Sequence, residues 1–237
     1  MNLFPGSKSF AFDQHNRVNS NIRNKAISFD LWQTLISGNP QFRAEKCELV
    51  RKYFKIAESN EEILNSFVRA DRVLDKIQEK FLIQPEYLTA WAIVLCEIGI
   101  EQTNVDDIKE FLRLYNQLFL QFPPILFDDV EWLFEKLSRI GQLDLYIFSN
   151  TILVRSEVLE KFIKTTPLKE IKAFYSDTHF PKPDCRAFEV FETKPFIHVG
   201  DNIFADGNCS NFGIEFFQVR TNGKSLKDFW YHINQRL

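Results

Sequence analysis

The chain has 237 residues, with 29 Lys and Arg against 32 Asp and Glu for a formal net charge of −3, and 45% of its residues are hydrophobic. That balance lacks the basic face of a general nucleic-acid binder, and no apolar stretch reaches the roughly 18 residues of a membrane span, so neither nucleic acid nor membrane is expected as a partner. The length suits one domain, or one domain with an insert, and Cys47, Cys96, Cys185 and Cys209 stand apart without a C-x-x-C pair, as reduced thiols of a cytoplasmic protein do and zinc ligands do not.

Residues 1–24 are polar, Asn-rich and without periodicity, and read as a loose extension; no secretory pattern opens them. From Lys25 onward, short β-like runs alternate with helical patterns. Strands are predicted over 25–30, 144–149, 171–176, 196–200 and 215–219, where Ile, Phe, Tyr and Val dominate and near-continuous apolarity suits a sheet buried on both faces. Helices are predicted over 128–140, 152–164, 184–192, 203–211 and 225–236. Such alternation implies an α/β fold with a doubly wound parallel sheet.

One region departs from it. Helical patterns run over 41–56, 60–80, 85–99 and 104–121, broken at Asn39-Pro40, Ser59-Asn60, Pro85, Gly99 and Pro123-Pro124. In the second, Ile63, Phe67, Ala70, Leu74 and Ile77 recur at spacings of three and four and give one apolar face. The organisation expected is an α/β core from 25–38 and 124–237, interrupted by a four-helix bundle over 39–123.

Ligands of parallel α/β sheets bind beyond the carboxyl ends of the strands. Asp30, Ser149 and Asp201 each end a predicted strand and should project from one edge, joined by Asn150, by Lys182 in Pro181-Lys182-Pro183-Asp184, and by Asp206. A carboxylate, a hydroxyl with an amide, an ammonium and two more carboxylates can hold a divalent cation and a phosphoryl group beside an attacking oxygen. The carboxylates alone would repel an anionic substrate, and a cation with Lys182 offsets that repulsion. Phosphoryl transfer is governed by such positioning and charge stabilisation.

These segments, in this order, resemble the four motifs of the haloacid dehalogenase (HAD) superfamily, over roughly 25–36 and 126–220, with the helical insert resembling that family's cap. The resemblance implies a Rossmann-like HAD core and a magnesium-dependent phosphatase of a small phosphorylated metabolite. In it Asp30 is the nucleophile that carries an aspartyl-phosphate. Thr34 matches the first motif's threonine. Ser149 and Asn150 meet the phosphoryl oxygens, and Lys182 neutralises both nucleophile and phosphoryl group. Mg²⁺ is held by Asp30, the backbone carbonyl of Trp32 and Asp201, with Asp206 as a further ligand or as a support behind them, an all-oxygen set that suits a hard cation.

Trp32 is the departure. Family phosphatases carry there a second aspartate that protonates the leaving oxygen and then activates water. An indole N–H donates a hydrogen bond but shuttles no proton near neutral pH. Slow or absent turnover is therefore expected unless another group substitutes, and His179, three residues before Lys182, is the stand-in that the sequence offers. Two other readings follow from the same residue. A catalytically silent HAD-fold binding protein would keep the metal ligands and lose turnover. A 2-haloacid dehalogenase would carry an aromatic residue at this position and a cap arginine, for which Arg43, Arg69 and Arg72 are candidates, but it would use no metal and lack an acid at the Asp201 position.

Overall fold

A computed structural model describes residues 25–237; the N-terminal extension expected over 1–24 lies outside the described residues. Five strands form one parallel sheet in the order β5-β4-β1-β6-β7, with β1 at Lys25–Phe29, β4 at Leu143–Ser149, β5 at Lys172–Tyr175, β6 at Ile197–Gly200 and β7 at Glu215–Gln218. β1 is central, its Phe29 level with Ile147 of β4 and Val199 of β6. The strand ends following Phe29, Ser149 and Gly200 therefore lie along one edge.

The alternation of side chains across the sheet sets two cores. Ile27, Phe29, Ile147, Ile197, Val199 and Phe217 share a core with Val130, Leu133 and Phe134 of helix α5 (Asp128–Ser138), Leu159 and Phe162 of α6 (Ser156–Ile163), and Leu226 and Phe229 of α7 (Leu226–Ile233). Ala26, Tyr146, Phe148 and Phe174 form the opposite core with Phe188, Phe191 and Cys209. On this second side the predicted helices over 184–192 and 203–211 are 3₁₀ segments, Cys185–Glu189 and Gly207–Phe212. The latter contains Gly207, Asn208, Ser210 and Asn211, residues that favour turns and compete with the helical backbone.

Between β1 and α5 the chain passes through a short antiparallel pair, β2 (Ile36–Ser37) with β3 (Ile125–Leu126), and the four helices lie between those strands. They are α1 (Pro40–Phe54), α2 (Asn60–Phe81), α3 (Tyr87–Ile98) and α4 (Val105–Gln121). Their starts are written in the sequence: Asn39, Ser59 and Asn104 cap α1, α2 and α4, and Ser59 forms a capping box with Glu62. Trp91, fully buried, stands edge-on to Phe67, Phe111 and Tyr115 and anchors the bundle. None of the described helices is long and apolar enough to cross a membrane.

Candidate active site

Asp30 leaves the end of β1 with its backbone N–H donating to the Val199 carbonyl at 2.7 Å, which fixes it beside β6. Asp201 follows β6, and the next turn returns Asp206 to the same point through the Asp206 N–H on the Asn202 carbonyl. Oxygens of Asp30, Asp201 and Asp206 lie within 4.8 Å of one another. Gly200 permits this approach, because a Cβ there would stand 2.2 Å from Asp206 Oδ2. Lys182, 1% exposed, reaches into the cluster and donates to Asp30 Oδ1 at 2.6 Å and to Asp206 Oδ1 at 2.5 Å.

A second tier of contacts orients these groups. Asn150, next to the end of β4, clasps the Lys182 backbone at both its polar groups: its Oδ1 accepts from the Lys182 N–H and its Nδ2 donates to the Lys182 carbonyl, each at 2.8 Å. Asp206 Oδ2 accepts from the Asn202 N–H at 3.1 Å, and Oδ1 lies 3.2 Å from His198 Nε2. His198 is fully buried on β6 level with Ser28 of β1, whose Oγ lies 2.8 Å from Nδ1. A carboxylate only accepts, so Nε2 carries the proton and Nδ1 accepts from the Ser28 hydroxyl. Burial lowers the pKa of the ring and favours this neutral form.

Charge is unevenly shared. Burial alone would raise Asp206, but Lys182 and His198 outweigh it and hold that carboxyl far below the usual range. Burial would likewise lower Lys182, and Asp206 with Asp30 raise it instead, so the ammonium is permanent. Burial pushes the Asp30 carboxyl up to about 7 against the pull of Lys182, with Asp206 and Asp201 adding to the rise. Burial and Asp206 push Asp201 up to about 6. One lysine thus faces three carboxylates, and two of those are short of positive charge.

That deficit and the donor chemistry fit a hard divalent cation. Asp30, Asp201 and Asp206, with their oxygens within 4.8 Å of one another, are the residues that would hold it. Asp201 has the freest side chain, its anchoring being through its carbonyl, which accepts from Gln218 Nε2 and Thr221 Oγ1.

The cluster opens into a cleft of about 310 Å³ whose walls include Asp30, Trp32, Gln33, Asn150, Lys182, Asp201 and Asp206 from the core and Asp75, Gln78 and Glu79 from α2. Trp32, Gln33, Asp75, Asn150 and Ile152 also border a larger chamber of about 870 Å³ beneath the helices, lined by Phe42, Tyr115, Phe119, Arg43 and Lys46 among others. Trp32 stands at the junction with its indole against Phe119 of α4, ring centres 6.4 Å apart.

Several expected residues are placed otherwise. Thr34 and Ser149 are fully buried and absent from the cleft wall. The turn after Asp30 sets Gln33 at a positive φ of 55° and returns Leu35 N–H to the Leu31 carbonyl, which presents Gln33 to the cleft and carries Thr34 inward. The Thr34 hydroxyl has no partner among the described residues, and its carbonyl accepts from Arg220. Ser149 Oγ donates to the Asn150 carbonyl at 3.2 Å. Asn150 does line the cleft, but its amide is committed to Lys182 rather than left for a substrate. His179, the stand-in acid, lies against Phe174 and lines a different depression with Phe180 and Arg186. Of the three arginines, Arg43 borders the chamber, Arg69 pairs with Glu97 at 2.8 Å, and Arg72 is exposed. The Cys209 thiol, near Asp206, is pushed up to about 12 by burial and by that carboxylate, so it stays protonated.

The sequence reading missed Asp75, Gln78, Glu79 and Asn202. Asp71, Asp75 and Glu79 do recur every four residues beside the apolar stripe of α2, a polar face with no visible destination until the helix is seen over the sheet edge. Gln78 faces Gln84 and, at 3.5 Å, Asn150, while Glu79 accepts from Asn202 Nδ2 at 3.1 Å.

No family model matches the sequence, and no curated protein does. Solved structures do resemble the fold. A protein assigned as a HAD-hydrolase, YfnB from Bacillus subtilis, solved with magnesium bound, superposes with a TM-score of 0.65 at 19% identity over 90% of this chain and 99% of its own. A 2-haloacid dehalogenase from Pseudomonas syringae pv. Tomato DC3000 gives 0.56 at 17% identity, covering 85% of this chain and 88% of that one. A protein assigned as a beta-phosphoglucomutase from Thermotoga maritima gives 0.55 at 13%, over 83% and 85%. Parallel sheet, strand order and inserted helices together give this chain the fold of the HAD-like hydrolases.

Proposed function

We propose that the protein is a cytoplasmic, magnesium-dependent hydrolase of phosphate monoesters that passes the phosphoryl group through Asp30. The observation that carries this reading is the gathering of three carboxylates within 4.8 Å around a lysine bonded to two of them, at the carboxyl edge of the sheet. Asp30, Asp201 and Asp206 would hold the cation with the Trp32 carbonyl, and when bound it supplies positive charge to the phosphoryl oxygens. Asp30 is aimed by the Val199 carbonyl and Lys182, and its carboxylate attacks phosphorus. Lys182, locked by Asn150, favours the ionised form of that carboxylate against its burial and offsets charge on the transferring group. The body of a small phosphorylated metabolite would occupy the chamber beyond Trp32.

A binding protein without turnover is the second reading, favoured by Trp32. Dehalogenation is disfavoured by the acids at 201 and 206, which a metal-free site would not need. Hydrolysis of p-nitrophenyl phosphate separates these readings. The expected result is turnover with Mg²⁺ that is lost on chelation, and Asp30→Asn abolishing activity in a folded protein. Thermal stabilisation by Mg²⁺ and phosphate with no turnover would favour the binding reading. Undiminished activity of D30N would remove Asp30 from the chemistry.

A further inference from the structure

In-line displacement places the leaving oxygen on the side of phosphorus opposite Asp30, toward the helices, and Trp32 offers it no proton. We propose that Asp75 of α2 is the general acid and base of this site, the helical insert supplying the group that the core lacks. The inference rests on the hydrolase reading above and extends it.

Position is the first argument. Asp75 lines the cleft that contains Asp30 and Lys182, and it also lines the chamber. It therefore sits where the phosphoryl group ends and the body of the substrate begins, which is where the leaving oxygen must lie. Attachment is the second. One turn beyond Asp75, Glu79 accepts from Asn202, and Gln78 donates to Gln84, whose Nε2 donates to the Thr151 carbonyl at 2.7 Å. These contacts hold this stretch of α2 over the strand ends. Availability is the third: among the described residues no hydrogen bond or ion pair engages the Asp75 carboxylate. Its neighbours on α2 are placed differently, since Glu79 is committed to Asn202 and Asp71 borders only the chamber.

The surroundings suit proton exchange near neutrality. Burial, with Asp71 and Glu79 adding to it, pushes the Asp75 carboxyl up to about 6. The charged groups around the two cavities are Asp71, Glu79, Lys46 and Arg43 on the helices, and Lys182 with the three core carboxylates across the cleft.

The chemistry balances with water alone. As the Asp30 oxygen bonds to phosphorus and the ester P–O bond breaks, the Asp75 proton passes to the leaving oxygen and the alcohol departs. Asp75, now a carboxylate, takes a proton from water as that water's oxygen bonds to phosphorus. The Asp30–phosphorus bond breaks, inorganic phosphate leaves, and both carboxyl groups return to their starting forms.

The test compares the full-length protein with D75N and D75E, in Mg²⁺, on phenyl phosphate and on p-nitrophenyl phosphate, whose better leaving group needs little protonation. D75N should lose about a hundredfold in kcat on phenyl phosphate. On p-nitrophenyl phosphate it should release a first equivalent of nitrophenol nearly as fast as wild type, then stall with phosphate retained on Asp30. D75E should recover part of both losses. Among the described residues the Asp75 carboxylate makes no bond on which the fold depends, and an unchanged melting temperature verifies that the variants fold. If D75N affects the two esters equally and retains no phosphoenzyme, Asp75 is not the acid–base group, while loss of activity in D30N would leave the hydrolase reading standing. A wild-type protein that turns over neither ester contradicts both.

Discussion

Lys182 is buried with two carboxylates on its ammonium, so at the scale of single residues it controls whether Asp30 and Asp206 can be charged together. Removing one member of a buried ionic group strands the others and costs about 3–5 kcal/mol. Lys182→Met should therefore destabilise the metal-free protein by about that amount in urea denaturation, with Mg²⁺ restoring part of it by replacing the lost positive charge. A loss under about 1 kcal/mol, the ordinary worth of an exposed pair, would contradict the burial described here. Asp30, Lys182, Asp201 and Asp206 were legible because strand ends and local spacing announce them. Asn150 was legible as a polar group at a strand end but not in its task, because its partner Lys182 is 32 positions away. Thr34 was misplaced for a local reason: a single left-handed residue, Gln33, decides which way the turn faces.

Among the elements, β6 and the turn after it do most to shape the cluster. His198, Gly200, Asp201, Asn202 and Asp206 all belong to this stretch, and His198, Gly200 and Asn202 contact or border the Asp206 carboxylate. Gly200→Ala would place a methyl group inside contact distance of Asp206 Oδ2. Overpacking of this kind costs about 1–3 kcal/mol, and the carboxylate must turn away from the cluster. G200A should accordingly bind Mg²⁺ more weakly by calorimetry; wild-type affinity would show that Asp206 is not needed at the ion. The five strands were legible to within a residue or two because their buried apolar runs have no other use. The two 3₁₀ segments were mistaken for helices because apolar spacing survives in them although glycine, asparagine and serine prevent a regular helix.

At the scale of the whole molecule, the alternation of strands and helices announced the sheet, and the break in that alternation announced the insert. The meeting of insert and core was not legible. Which face of α2 turns toward the strand ends depends on how β2, β3 and the bundle close on the sheet, and no local pattern encodes that closure. The consequence is a divided site, with nucleophile, ammonium and metal-binding acids from the core and Asp75, Gln78 and Glu79 from the helices. The central claim is that phosphoryl passes through Asp30, and the most direct test is to quench the protein in acid during reaction with Mg²⁺ and a phosphate monoester and map the phosphate by mass spectrometry. The account predicts phosphate on the peptide carrying Asp30, absent without Mg²⁺ and absent in D30N. Turnover with no phosphate trapped on that peptide, or phosphate trapped on another residue, would contradict it.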